Sequence, residues 1–240
     1  MLSRAKRPGW PARPGTRYLS GAGHKDLAGG LIEALQSEVF DTAELEPRLA
    51  RHAAAPARFA SGEVGAWTTS FLGAEQDPYL HQSLALAEIE AGRNVVISTA
   101  TASGKSFIFI AAVLAELFEG QGTVLAFYPL KALGSDQYCS WQAELARAGL
   151  PAHLVGEING DVPMAERDQV LAQARVILAT PDVINAWMMP MTNTPSVRGF
   201  LAQLSLVIID EAHSLEAVFG SQFSLFFRRL RAAHRRARAQ

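Results

Sequence analysis

The sequence predicts an α/β fold built on a doubly wound parallel sheet. From Asp77 onward, short runs of β-branched and apolar residues alternate with runs of helical periodicity, a pattern typical of parallel sheets covered by helices. The apolar run Asn94 to Ser98 leads through a short turn into a helical pattern. A second apolar run, Leu206 to Ile209, ends in two acidic residues. These acids should lie at the carboxyl end of a strand, where open α/β sheets bind ligands.

Residues 1–74 are predicted to precede this domain as two segments. Residues 1–25 are rich in Pro, Gly and Arg without a hydrophobic period, which predicts a mobile basic leader, with an organelle transit segment as the alternative. Residues 26–74 are predicted to form an irregular or helical N-terminal extension, with a helix from Asp26 to about Val39. Later in this extension, four large apolar side chains are expected to pack on another part of the protein: Phe59, Trp67, Phe71 and Leu72.

Residues 75–240 are predicted to form the nucleotide-binding domain. A helix is expected from Leu80 to Glu90, followed by alternating strands and helices. The expected elements are Asn94 to Thr99, Lys105 to Phe118, Thr123 to Pro129, Lys131 to Ala148, Ala152 to Glu157, Pro163 to Ala174, Arg175 to Thr180, Pro181 to Met189, Val197 to Leu204, Ser205 to Asp210, and a last helix from Leu215.

The turn from Thr99 to Ser106 reads Thr-Ala-Thr-Ala-Ser-Gly-Lys-Ser, and its strand-to-helix context predicts a phosphate loop. Backbone N–H groups in such a loop and the positive end of the next helix can face an anion. Lys105 would then reach the β- and γ-phosphates, and the hydroxyl of Ser106 would bind Mg²⁺. The predicted nucleotide-binding residues of this loop are Thr101, Ala102, Ser103, Gly104, Lys105 and Ser106.

The acidic pair Asp210 and Glu211 completes the predicted nucleotide site. Asp210 would hold Mg²⁺ directly or through water, while Glu211 would polarise the water that attacks the γ-phosphorus. Either motif alone can occur as a loop or strand end with no nucleotide. Because both stand in the context that the chemistry requires, we expect the phosphate loop and the acidic pair to converge at a single pocket.

Length and composition narrow the class of protein. The chain has 240 residues, of which 49% are hydrophobic, enough for a packed core. No apolar run approaches the roughly 20 residues that span a bilayer, and no secretory signal is recognised. A single cysteine, Cys139, excludes an internal disulfide and a cysteine-based zinc cluster within this chain and is expected to fill the core. We expect an intracellular protein, cytoplasmic in a bacterial-type cell, without a membrane partner.

Further segments between the two motifs resemble those of superfamily 2 helicases. Tyr79 to Gln82 resembles the adenine-recognising glutamine motif, Tyr128 to Leu133 motif Ia, Ala179 to Asp182 motif Ib, and Asp210 to His213 the DEAD/DEAH box. The resemblance covers about residues 75–233 and implies the first of two RecA-like domains, with the second absent from this chain.

Within the superfamily, the resemblance is to the mitomycin-repair and RecQ4-like DNA helicases. It rests on the phosphate loop, on the turn Asn159 to Asp161 followed by Glu166 and Arg167, and on Val218 to Ser221. A DEAD-box RNA helicase would normally read Pro-Thr-Arg-Glu-Leu-Ala at motif Ia, where this chain reads Tyr-Pro-Leu-Lys-Ala-Leu.

The resemblance implies ATP and Mg²⁺ as cofactors. The Gln82 amide would select adenine through its edge, and Tyr79 would stack on the base or only pack within the domain. His213 would couple the ATP site to the second domain, or its hydrogen bonds would all be made within the first domain. For nucleic acid, with DNA favoured and a single strand followed along its backbone, the candidate contacts are Lys131, Gly160 and Thr180.

The sequence thus predicts the ATP-binding half of an ATP-dependent nucleic-acid helicase. Without the second domain, whose arginines contribute to the transition state, we expect this chain alone to be nearly inactive. The alternatives are an RNA helicase or other superfamily 2 translocase, and a non-motor scaffold that binds nucleotide or nucleic acid. The last helix is amphipathic, and its six arginines over residues 228–238 face solvent or contact DNA.

Overall fold

The computed structural model describes most of the chain from residue 55 onward and three short strands before it. For the three strands and for residues 131–133 and 217–222, the description is of the backbone. The described ranges are 2–4, 16–20, 37–38, 55–73, 76–99, 103–129, 131–212 and 217–239. These residues form two compact units, one up to Gly120 and one from Gln121 onward.

In its described residues, the first unit combines a small sheet with four helices. Its strands are β1 (Leu2–Arg4), β2 (Thr16–Ser20), β3 (Ser37–Glu38) and β4 (Val95–Ser98), and its helices are α1 (Ala57–Ala60), α2 (Gly62–Leu72), α3 (Leu80–Glu90) and α4 (Lys105–Glu119). β2 pairs in parallel with β3 and β4, whereas β1 pairs antiparallel with β4. The phosphate loop therefore follows a strand and opens a helix, as the sequence predicts.

Helix α4 lies at the core of the first unit. All its side chains from Phe107 to Leu117 are buried, as expected of a helix that is apolar around its whole circumference. Glu116 on this helix is buried and accepts a hydrogen bond from Arg58 of α1 at 3.3 Å. The ring of Trp67 in α2 stacks on Phe107, with centroids 5.6 Å apart. Helices α1 and α2 thus pack on the helix that follows the phosphate loop.

The second unit is a four-stranded parallel sheet with helices. Its strands are β5 (Thr123–Phe127), β6 (Val155–Ile158), β7 (Val176–Ala179) and β8 (Leu204–Ile209), and its helices are α5 (Lys131–Arg147), α6 (Met164–Gln173), α7 (Pro181–Val183), α8 (Pro195–Ala202) and α9 (Ala217–Ala239). The strand order is β8-β5-β7-β6, with every pair parallel. A 3₁₀ turn, Ala152–Leu154, precedes β6, and a π-helical turn, Ile184–Met188, continues α7. The α/β class and the parallel sheet predicted from the sequence are confirmed.

Helix α9 is fixed on the second unit by an aromatic face and a buried histidine. Phe223, Phe226 and Phe227 surround the ring of Phe127, with centroid distances of 5.8, 5.4 and 6.3 Å. His234, 1% exposed, donates from Nδ1 to the carbonyl of Leu201 near the end of α8 at 2.7 Å. This bond satisfies one of the carbonyls that a helix terminus leaves without an intrahelical partner.

Three expectations for local structure are corrected. The leader contains two strands, β1 and β2, although its composition predicts no regular structure. Ser37 and Glu38, expected at the end of a helix, form β3; the rest of that expected helix lies outside the described residues. Cys139, expected in the core, is exposed. It lies on α5, whose amphipathic pattern turns it toward solvent.

In the described part of the chain, no helix combines the length and the apolarity needed to cross a bilayer.

Candidate functional site

The phosphate loop requires glycine at position 104. Gly104 adopts φ 80° and ψ 30°, in the left-handed region that other residues enter only with strain. A Cβ added at this position would stand 2.5 Å from Nε2 of Gln82. Both the backbone conformation and the close approach of Gln82 therefore exclude any larger residue.

Two side chains from the first turn of α3 hold the phosphate loop. Gln82 is 2% exposed, and its Nε2 donates to the carbonyl of Gly104 at 3.0 Å. Its Oε1 accepts the backbone N–H of Tyr79 at 2.8 Å. Nε2 of His81 lies 3.0 Å from the carbonyl oxygen of Ser103. The successive carbonyls of Ser103 and Gly104, which lead into α4, are thus both bound by side chains of α3.

His81 is a residue that the sequence analysis missed. A carbonyl oxygen can only accept, so Nε2 must carry the proton that binds Ser103. The ring also stacks on Tyr79, with centroids 5.8 Å apart and an interplanar angle of 11°. Its position next to Gln82 at the start of a predicted helix was the only sequence signal for this role. A single histidine has many possible roles in proteins, so that signal did not predict this one. Tyr79, expected to stack on a base or to pack, packs on His81 in this structure.

The pKa of His81 is lowered from its ordinary value of 6.5. Burial is the largest cause; the bond to Ser103 opposes it, and the charge of Lys105 adds to the lowering. Between the folded-state pKa and 6.5, the unfolded chain binds a proton more readily than the folded chain. His81 therefore contributes stability that is complete above about pH 6.5 and is lost as the pH falls through its folded-state pKa.

Replacing His81 with phenylalanine is expected to weaken ATP binding about fivefold, because one hydrogen bond that fixes the loop, worth about 1 kcal/mol, disappears. The melting temperature of the variant should also fall less steeply than that of the wild type as the pH drops from about 7.5 to about 5.5. Nucleotide titration and thermal unfolding across pH measure both effects. The matched control is His153→Phe at an exposed histidine; equal effects from both variants would contradict this role.

Three loop side chains, those of Thr99, Ser103 and Lys105, bind within the loop. Nζ of Lys105 donates to the carbonyl of Thr99 at 3.2 Å. The hydroxyls of Thr99 and Ser103 lie 2.6 Å apart, and Ser103 is buried. Ser106, the predicted Mg²⁺ ligand, is exposed in the first turn of α4. The loop thus presents a lysine, a hydroxyl and a helix N-terminus, which together can bind a phosphate group.

The acidic pair directly follows β8. The N–H of Asp210 donates to the carbonyl of Phe127 at 3.0 Å, which extends the pairing of β8 with β5 by one residue. Glu211 has φ 48°, a left-handed conformation that is uncommon for a residue with a side chain. Its N–H donates to Oδ1 of Asp210 at 2.9 Å. Both acids are half-buried, so their carboxylates keep contact with solvent.

Tyr128 is a buried neighbour of the acidic pair. It follows β5 and is 1% exposed. Burial is the main cause that raises the pKa of its phenol, and the negative charge of Asp210 raises it further. The phenol therefore stays neutral, and its ring meets Trp141 edge to face, with centroids 6.4 Å apart. This packing supports the strand end from which Asp210 projects.

The phosphate loop belongs to the first unit and the acidic pair to the second. That the phosphate loop and the acidic pair meet at one nucleotide stays a prediction. Three other predicted residues, Thr101, Ala102 and His213, lie outside the described residues.

The three candidate nucleic-acid contacts lie at the carboxyl ends of strands in the sheet of the second unit. Lys131, described by its backbone, begins α5 after β5; Gly160 is exposed in the turn after β6; and Thr180 follows β7 as the N-cap of α7. Because the strands are parallel, their carboxyl ends lie along the same edge. The structure thus brings these positions to one edge.

Arg167, which entered the sequence analysis only through the resemblance, holds the turn that carries Gly160. Its Nε donates to the carbonyl of Val162 at 3.0 Å and a terminal nitrogen to that of Asn159 at 3.4 Å. The guanidinium also lies over the ring of Trp187, 5.5 Å from its centroid. One buried side chain thereby fixes both ends of the turn.

Comparison with known proteins matches residues 79–239 to the family model described as DEAD/DEAH box helicase. The chain is 37% identical over 154 residues to the ATP-dependent helicase HRQ1 of Saccharomyces cerevisiae, an alignment that covers 63% of this chain and 14% of the relative. It is 32% identical over 155 residues to the ATP-dependent helicase hrq1 of Schizosaccharomyces pombe, with 64% and 14% covered. The chain thus spans about one seventh of these relatives.

Among solved structures, the chain is similar to the DUF1998 helicase MrfA bound to DNA and AMPPNP. The TM-score is 0.71 and the sequence identity 25%, over 79% of this chain and 26% of that protein. The similarity therefore extends beyond the short motifs to the arrangement of strands and helices.

Proposed function

Because the chain belongs to the DEAD/DEAH box helicase family, we propose that it is the ATP-binding, first RecA-like domain of a nucleic-acid helicase, with DNA favoured over RNA. The observation that carries the proposal is the phosphate loop, in which His81 and Gln82 hold the backbone and Gly104 takes a conformation that only glycine adopts without strain. Ser103 and Gly104 are held in this way without a nucleotide, so binding need not supply the free energy of ordering these two residues.

In this proposal, Lys105 exchanges one acceptor for another when ATP binds. Its ammonium leaves the carbonyl of Thr99, 3.2 Å away, and donates to the β- and γ-phosphate oxygens. The N-terminus of α4 adds positive potential at the same place. Gln82 would offer the second N–H of its amide and a remaining lone pair to the adenine edge. Tyr79, already packed on His81, would border the base.

The donor set fits Mg²⁺, which prefers oxygen ligands. Ser106 offers a hydroxyl and Asp210 a half-buried carboxylate, and we assign these two groups to the ion. When bound, Mg²⁺ would neutralise charge on the phosphates. Glu211 would accept a proton from the attacking water, and the N–H bond from its own backbone to Asp210 holds the two acids in a fixed relation.

Nucleic acid is proposed to run along the edge formed by Lys131, Gly160 and Thr180. A helicase moves over any sequence, so its contacts go to the phosphate backbone, which carries no sequence information. A second RecA-like domain would supply arginine to the transition state, a contribution of roughly 10³ to 10⁵ in rate, and His213 would couple to it. MrfA was solved with DNA, which supports DNA as the polymer. Such a motor would work inside the cell, in the cytoplasm.

The test of this function compares polymers. In a polypeptide that joins this chain to a second RecA-like domain, single-stranded DNA should stimulate ATP hydrolysis at least about tenfold more than RNA of the same sequence, and this chain alone should hydrolyse ATP about 10³-fold more slowly. Phosphate release under saturating ATP measures both. Stronger stimulation by RNA would favour an RNA helicase, and ATP binding without hydrolysis in the joined protein would favour a scaffold.

A further inference from the structure

The exposed face of α9 carries a line of four arginines. Arg228, Arg231, Arg235 and Arg238 follow one another at intervals of three, four and three residues. At about 100° per residue these positions lie within roughly 80° of arc, and they extend about 15 Å along the helix axis. We call these four residues the arginine stripe. Arg231 is half-buried and the other three are exposed.

The arginine stripe has no acidic partner on its own helix. The sequence from Ala217 to Ala239 contains neither aspartate nor glutamate. Arg231 and Arg235 are one helical turn apart, a spacing at which like charges destabilise a helix. The helix therefore holds a concentrated positive charge, and a bound anion would relieve the repulsion within it.

Two groups of α9, the half-buried Arg231 and the buried His234, respond to this positive charge. The pKa of Arg231 is lowered, first by burial and then by the charge of Arg235. The pKa of His234 is lowered by burial, against the effect of its bond to Leu201, and further by the charges of Arg238 and Arg235. The stripe thus creates a positive potential that reaches beneath the helix surface.

The buried side of α9 fixes the backbone that carries the stripe. Phe223, Phe226 and Phe227 are buried around Phe127, and His234 is bound to α8. Because the backbone of a packed helix is already ordered, binding there has to order only the side chains, whereas binding to a loop also orders the backbone. Arginine also suits phosphate, because its planar fork can donate two parallel hydrogen bonds to one group.

We propose that the arginine stripe binds the sugar-phosphate backbone of nucleic acid, in addition to the candidate contacts Lys131, Gly160 and Thr180. Its length of about 15 Å is enough to meet several successive phosphates of one strand. The inference rests on the proposed function. Of the three strand-end candidates only Lys131 is a cation, whereas the stripe adds four cations.

The experiment replaces the three exposed arginines together, as R228Q/R235Q/R238Q, in the polypeptide that includes the second RecA-like domain. Affinity for a fluorescent single-stranded DNA is measured by anisotropy from about 50 to about 200 mM NaCl. Removing one phosphate contact should reduce the slope of log affinity against log salt by about 0.7. The triple variant should therefore show a slope smaller by up to about 2 and an affinity at least about tenfold weaker at the lowest salt.

Two matched variants sharpen the result. R228K/R235K/R238K keeps the charges and should retain the slope, since counterion release depends on charge. R147Q removes an exposed arginine from α5 that lies 3.7 Å from Glu144, and it should leave both slope and affinity unchanged. Thermal unfolding checks that all variants are folded.

An unchanged slope in the glutamine variant would overturn the proposal while leaving the proposed function intact. If the wild type bound neither DNA nor RNA, the proposed function itself would fail, and the stripe proposal with it.

Discussion

Replacing Lys105 with alanine is expected to lower ATP affinity about 10- to 100-fold. The ammonium is the only side-chain cation in the phosphate-loop motif, and a hydrogen bond to a charged phosphate is worth about 1.5–3 kcal/mol. Truncation leaves the phosphates with backbone N–H groups and the helix dipole alone. Titration with a fluorescent ATP analogue, with and without competing ATP, measures the loss.

The Lys105→Ala result is interpretable only if the domain stays folded. The bond from Nζ to Thr99 is internal to the loop, so removing it should change the unfolding temperature little. Gly104→Ala provides a contrast, because its Cβ would meet Gln82 at 2.5 Å and should lower both stability and ATP affinity. Unchanged ATP affinity in a folded Lys105→Ala protein would show that this loop is not a phosphate site.

Replacing Glu211 with glutamine is expected to reduce ATP hydrolysis about 10²- to 10⁴-fold while ATP affinity stays within about twofold. An amide keeps the shape of the carboxylate and loses its basicity, so the attacking water is no longer deprotonated. The left-handed backbone at φ 48° and the bond to Asp210 are made by the main chain, and the substitution preserves both. Single-turnover phosphate release in the two-domain protein separates chemistry from binding.

Glu166→Gln is the matched control for Glu211→Gln. Glu166 is an exposed acid on α6 of the same unit, and its loss should leave the hydrolysis rate unchanged. If Glu211→Gln hydrolysed ATP at the wild-type rate, Glu211 would not be the general base. Loss of ATP binding in that variant would instead mean that Glu211 supports the structure of the site.

Elements with a strong hydrophobic signal were predictable to within one or two residues. Strand β8 follows from Leu206 to Ile209, an apolar run too short for a core helix, and α4 from the phosphate loop that opens it. Strands β1 to β3 were not predictable. Their pairing is made by backbone groups, which every residue except proline offers in the same way, so the composition of these segments carries no signal.

The site shows the same division between local and tertiary information. The motif around Lys105 predicts a phosphate loop because its residues all lie in one continuous turn of the chain. The roles of His81, Arg167 and Tyr128 depend on segments distant in sequence that fold against them, such as the loop carbonyl of Ser103 for His81. The sequence indicated that Trp67 packs on something; only the fold identifies the partner as Phe107.

The central claim is that the phosphate loop and the acidic pair act on one nucleotide. It is tested most directly by the Mg²⁺ dependence of ATP affinity in the wild type and in Asp210→Asn. If Asp210 holds the ion that joins the phosphates bound at Lys105, Mg²⁺ should strengthen ATP binding about tenfold in the wild type and little in the variant. Equal strengthening by Mg²⁺ in both proteins would contradict the claim.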